Sequence, residues 1–144
     1  MTTVIVDDHL LGDLIAGVAP ATLVPLLRSN RLATTNLYYY RLCRAALAGR
    51  GGALTSSWSA RQRQQATREL TLLGPEVAVL PMREIAFRMG ELARDHSLSA
   101  LGAEAVAAAE RERGVLCVWE GDDGPRIRAC CDAAGVEYQT ITRD

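Results

Sequence analysis

The sequence predicts an α/β domain in which a central, mostly parallel sheet lies between two layers of helices. Three observations predict it. Short apolar runs rich in β-branched residues recur along the chain, as strands buried in a parallel sheet require. Stretches of helical period separate them, so successive strands are joined by crossovers rather than hairpins. The 144 residues suffice for one hydrophobic core but not for two full domains, so residues 1–144 are read as a single domain.

The first strand is Thr3-Val4-Ile5-Val6, apolar on consecutive positions and closed by two carboxylates. Asp8 is a competent N-cap for a helix from about His9, whose Leu10, Leu11, Leu14 and Ile15 keep the helical period up to Gly17. After Pro20, residues 21–28 suit a short helix. Ala33-Thr34-Thr35 reads as a very short strand or a capped turn, with Thr35 leading a helix from Asn36 to about Leu47. Gly49-Arg50-Gly51-Gly52 stops that helix, and a polar loop with Ser56, Ser57 and Trp58 precedes the next, from about Ala60 to Leu73. Val77 to Leu80 reads as a buried strand closed by Pro81. Arg83 to Asp95 is helical, and Ser99 caps an Ala-rich helix running to about Arg113, which Gly114 breaks. Val115 to Trp119 is a strand, Pro125 suits the first turn of a helix ending near Gly135, and Val136 to Ile141 is a final strand.

A hydrophobic fraction of 49% and a charged fraction of 23% exclude an intrinsically disordered chain. The net charge of −1 conceals a segregation: every one of the sixteen cationic side chains is Arg, and residues 14–68 hold eight of them with no acid. That segment carries +8 and the remainder −9. Clustered guanidinium groups favour a polyanionic partner, whereas a composition rich in Ala, Arg and Gly is also what a GC-rich genome produces. The opening MTTVIVDDHLL has neither a basic leader nor a long apolar run, and the longest uncharged run of the first third, Leu14 to Leu27, is interrupted by Pro20 and Pro25 and too short to span a bilayer, so the expectation is a cytoplasmic protein without a membrane partner. Cys43, Cys117, Cys130 and Cys131 lack metal-ligand spacing and read as buried thiols; the adjacent Cys130 and Cys131 are the pair a redox role would use.

In open parallel sheets the working site lies outside the carboxyl ends of the strands. Asp7 and Asp8 end the first strand, and Glu120, Asp122 and Asp123 follow the penultimate one, so acids distant in sequence can converge there. Such oxygen donors suit Mg²⁺ or Mn²⁺, which can generate hydroxide and assist displacement at phosphorus. Acids at strand ends equally serve as helix caps and turn formers. No phosphate-binding loop, nucleophile elbow or HExxH motif is present, and His9 and His96 are the only histidines. His9, just past the two aspartates, could assist a metal site, but reads first as a partly exposed residue at a helix start.

The segments VIVDDHLL, ATTNLYYYRLCRAAL, VAVLPMREIAFRMGELARDH, LSALGAEAVAAAE and GVLCVWEGDDGPRIRACCDAAGVEYQTI, in that order, resemble a PIN domain, nearest the small toxin-like ribonucleases of bacterial toxin–antitoxin pairs. The resemblance implies a parallel sheet flanked by helices and a site in which about four acids hold Mg²⁺ or Mn²⁺. Asp7 matches the first acid, and Asp122 or Asp123 the last, with Glu120 and Asp8 as neighbours. Counting from Thr35, the second acid falls on Arg41; the third falls on Gly102. Glu104, two positions along the helix, lies about 200° around it and is no substitute.

With Arg41 and Gly102 at two acid positions, the expected protein is a catalytically degenerate PIN-like domain. It would retain a surface for RNA or for a small antitoxin-like protein, and it would form a homodimer as its relatives commonly do. Arg41, Arg44, Arg61 and Arg63 are the candidate nucleic-acid contacts, against the alternative that Arg61 and Arg63 belong to a solvated helix face. Tyr38, Tyr39 and Tyr40 point in three directions on a helix, so at least one is core. If activity remains, it is that of a Mg²⁺- or Mn²⁺-dependent endoribonuclease with Asp7, Asp122 and Asp123 as catalytic acids and Asp7 and Asp123 as ligands, Asp8 joining in an altered arrangement. A third possibility is a protein-interaction module using residues 23–48.

Overall fold

A computed structural model describes residues 1–48, 54, 55 and 57–143; the expected glycine stop at residues 49–52 and Ser56 lie outside them. Five strands, β1 (Thr3–Val6), β2 (Arg31–Thr34), β3 (Val77–Val79), β4 (Val115–Trp119) and β5 (Glu137–Ile141), form an all-parallel sheet among the described residues, in the order β3-β2-β1-β4-β5. The helices are α1 (Asp8–Ala16), α2 (Val24–Arg28), α3 (Asn36–Leu47), α4 (Ala60–Leu70), α5 (Ala86–His96), α6 (Ala100–Glu112) and α7 (Pro125–Ala134). This is the expected three-layer α/β architecture.

The period of two along β1 sorts the layers. Val4 and Val6 face a cluster with Leu10 and Leu11 of α1, Leu42 of α3 and Ala66 and Leu70 of α4. Ile5 faces the opposite cluster with Leu92 of α5, the alanines of α6 and Cys130 and Cys131 of α7. The small side chains of α6 allow it to lie close against β1 and β4: Ala103, Ala105 and Ala107 to Ala109 are all buried. The alanine run is therefore core, with Val106 among it. Buried Cys117, Cys130 and Cys131 act as packing thiols, and desolvation raises all three pKa values.

Several boundaries differ from the sequence reading, each for a local reason. Helix α2 begins at Val24 rather than Ala21 because Pro25, lacking an N–H, fits only the first turn; a start at Ala21 would set its ring against a helical carbonyl. Helix α4 ends at Leu70, whose carbonyl accepts the Tyr39 hydroxyl at 2.6 Å. A 3₁₀ turn, Met82–Glu84, replaces the first turn expected of α5. The expected buried strand β3 is half-buried because it forms the sheet edge. The helix-breaking role assigned to Gly114 belongs to Arg113, which adopts the left-handed conformation at φ 51°. Gly114 is instead needed for close approach: a Cβ there would lie 2.4 Å from the Thr3 carbonyl oxygen.

The strand order reverses at β1, with β2 on one side and β4 on the other. The crevice outside the carboxyl ends of β1 and β4 is the place where such folds hold ligands. Asp7 and Asp8 emerge there from β1, and Glu120–Asp122 from β4.

Candidate functional site

Asp7, not Asp8, is the N-cap of α1. Both are competent caps, and the helix starts at Asp8, so the backbone N–H of Leu10 donates to Asp7 Oδ1 at 2.9 Å. The second oxygen of Asp7 accepts from Trp119 N–H at 2.9 Å, tying the end of β1 to the end of β4. Asp7 is wholly buried, and burial pushes its pKa up to about 7 despite these two donors and the neighbouring His9.

Asp8, freed from capping, turns a buried carboxylate into the crevice. Its Oδ1 accepts from the His9 backbone at 3.0 Å and lies 3.2 Å from His9 Nδ1; its Oδ2 lies 3.3 Å from Arg41 Nε. The same His9 Nδ1 is 2.9 Å from Asp122 Oδ2. Contrary to expectation, His9 is only 3% exposed, covered by Trp119 with ring centroids 4.5 Å apart. Its Nε2 is buried without a hydrogen-bond partner among the described residues. Burial alone would discharge the ring, but the bonds to Asp122 and Asp8 carry its pKa up to about 9. The His9 bond in turn lowers the Asp122 pKa, with Arg41 adding to the effect.

Asp7, Asp8, His9 and Asp122 each present one ligand-type atom, all within 4.8 Å of one another. Asp123, expected among the acids and as a ligand, is not in this group. Its two oxygens are held by Arg128 and the Tyr138 hydroxyl, each at 2.8 Å. Glu120 accepts from Thr142 at 3.1 Å. A divalent ion at this group would compete with two cations already in place, His9 against Asp122 and Arg41 against Asp8, whereas the N–H bonds to Asp7 leave each of its oxygens a second lone pair.

Arg41 therefore stands among the acids, paired with Asp8. The other proposed cationic contacts separate. Arg44 and Arg61 are exposed. Arg63 instead donates to the Ala46 carbonyl at 3.3 Å and to Thr55 Oγ1 at 3.2 Å, closing the end of α3. Tyr38 is core, Tyr39 is half-buried and bonded to α4, and Tyr40 is exposed.

No family model and no curated protein matches the chain. Among solved structures, PAE2754 from Pyrobaculum aerophilum is similar in fold, with a TM-score of 0.53 and 18% identity over 95% of this chain and 90% of that one. At this identity the likeness speaks for the fold alone. Among the described residues no helix is long and apolar enough to cross a membrane.

A pH dependence follows from the cluster. His9 has a folded pKa of about 9 against 6.5 unfolded, so its contribution is complete below 6.5 and is lost as pH rises through 9. Asp7, raised from 3.8 to about 7, also favours the folded state less as pH rises, within that lower window. Asp122, with a lowered pKa, contributes above its unfolded value and loses that contribution only in acid. Thermal unfolding followed by circular dichroism should thus show Tm falling by several degrees between pH 6.5 and 9, at about 1.4 kcal/mol per pKa unit. His9→Gln should flatten that slope. An equal slope in the variant would remove His9 as its source.

Proposed function

We propose that this protein is a PIN-like domain whose catalytic centre has been converted into an internally neutralised acid cluster, and that it works by binding RNA or a partner protein rather than by hydrolysis. The observation that carries the reading is Arg41: a guanidinium lies 3.3 Å from the carboxylate of Asp8, in the crevice where a nuclease of this resemblance would keep metal charge. His9 supplies the second internal cation, to Asp122. A divalent ion would have to displace Arg41 and compete with a protonated histidine.

The exposed Arg44 and Arg61 leave the basic segment able to contact phosphates, and binding to labelled RNA across a salt series measures it. A steep loss with salt supports a phosphate surface; no binding at low salt would leave protein interaction as the role. Homodimerisation belongs to the same proposal and is read by sedimentation.

A second reading, an active Mg²⁺- or Mn²⁺-dependent endoribonuclease, is favoured by the convergence of Asp7, Asp8, His9 and Asp122 within 4.8 Å. Thermal unfolding with Mn²⁺ separates the two, because a ligand that binds only the folded state raises Tm. The expected shift is under about 1 °C, with no cleavage of single-stranded or structured RNA. A rise of several degrees, together with cleavage that vanishes in Asp7→Asn, would establish the nuclease instead.

A further inference from the structure

Beside the acid cluster a cleft of about 450 Å³ opens between α3, the α5–α6 turn and the start of α7. That volume is in the range of small-molecule sites, roughly 300–1,000 Å³. Its walls are apolar, with Leu98, Leu101, Val118 and Ile127, and its cations are Arg41 and Arg126. The one acid in its lining, Asp122, is matched by His9 at 2.9 Å.

Both guanidinium groups have donors to spare. Arg41 makes its ion pair with Asp8 at 3.3 Å and no hydrogen bond among the described residues, and its side chain is 43% exposed. Arg126 is exposed, and its one hydrogen bond among the described residues is a long one, 3.4 Å to the Ser97 carbonyl. Gly102 keeps the space open. A Cβ there would meet Leu98 Cδ2 at 3.6 Å and Ile127 Cδ1 at 4.0 Å, ordinary contacts that place any longer side chain among the apolar walls.

We propose that this cleft binds a small organic anion: an apolar body seated on Leu98, Leu101, Val118 and Ile127, with a phosphate or carboxylate head held by Arg41 and Arg126. Guanidinium forks match either head group, and the apolar walls disfavour a bare inorganic ion. The inference rests on the reading of Arg41 as the resident cation of the site in place of a metal.

Calorimetric titration in EDTA tests it, with phenyl phosphate and 4-phenylbutyrate as probes and inorganic phosphate and benzyl alcohol as controls. At least one probe should bind tenfold or more tightly than either control, and the preferred probe identifies the head group. Gly102→Leu should weaken that binding at least tenfold while retaining a cooperative thermal transition, and the exposed Arg126→Gln at least fivefold. Probes no better than controls, or full affinity in Arg126→Gln and in folded Gly102→Leu, would overturn the inference. Repeating the titration with Mn²⁺ separates the two layers. Binding that needs Mn²⁺ overturns the reading of Arg41 as well; no binding with or without it overturns the small-anion site alone.

Discussion

Replacing Glu104 by Ala should lower stability by about 3–5 kcal/mol, a fall in Tm on the order of 10 °C. Glu104 is 0% exposed, on the helix that packs centrally against the sheet, and its carboxylate is aimed at the start of α3. Oε2 accepts from Asn36 N–H at 3.1 Å and from Asn36 Nδ2 at 2.8 Å, while Oε1 accepts from Leu37 N–H at 2.8 Å. Thr35 Oγ1 takes the Tyr38 N–H at 3.1 Å, and the Thr35 carbonyl takes that of Tyr39 at 3.0 Å. The first turn of α3 is thereby fully satisfied, with the carboxylate at the positive end of the helix dipole. Alanine would leave two backbone donors and one of the two Asn36 Nδ2 hydrogens unpaired beside a new cavity, the other still donating to the Leu80 carbonyl at 2.9 Å. Glu104→Gln preserves the volume and one acceptor but turns an NH₂ toward N–H donors, so a smaller loss of about 1–3 kcal/mol is expected. Chemical and thermal denaturation of both variants gives the comparison; a loss below about 1 kcal/mol for the alanine would mean that water reaches and satisfies this helix end.

The reach of an interaction along the chain explains which features were legible in the sequence. Thr35 and Ser99 cap α3 and α6 as read, because a cap bonds an N–H three residues away and the signal is local. The assignment to Asp8 was displaced by one residue because Asp7 and Asp8 have identical chemistry; Trp119, 112 residues downstream, fixes Asp7 in place. The role of Glu104 has no sequence signal, because its partners at the start of α3 lie up to 68 residues away. Burial of His9 likewise depends on Trp119, and on Arg143, whose guanidinium lies 5.3 Å from the Trp119 ring and pairs with buried Asp13 at 2.8 Å. Four strands were readable from their apolar runs and their parallel pairing from the helical crossovers; β2 (Arg31–Thr34), left open as a short strand or a capped turn at residues 33–35, and the exposure of β3 depend on pairing and strand order, which no local pattern encodes. Arg41 is the productive case: the position to which the PIN resemblance assigns a second acid carries a cation, and the fold places that cation beside Asp8.

That placement sets the largest expected effect on ligand binding, a gain rather than a loss. Arg41→Glu combined with Gly102→Asp should convert a parent expected to respond little to Mn²⁺ into a variant whose Tm rises by several degrees in millimolar Mn²⁺. The first substitution removes the guanidinium 3.3 Å from Asp8 and places a carboxylate on the same face of α3. The second adds an acid in the first turn of α6, favoured by the helix dipole, where a Cβ meets nothing closer than 3.6 Å. Two carboxylates would thus join Asp7, Asp8 and Asp122, and removal of the cation leaves this group with excess negative charge. Without metal the double variant should therefore be less stable than the parent, by about 1–3 kcal/mol, because like charges in a buried cluster repel. With metal bound at about a hundred times Kd, some 2.7 kcal/mol of stabilisation should appear. Both signs are read in one thermal titration, with and without EDTA, and each single variant should show less of the gain. A double variant that folds yet ignores Mn²⁺ would show that Arg41 and Gly102 are not what separates this cluster from a metal centre.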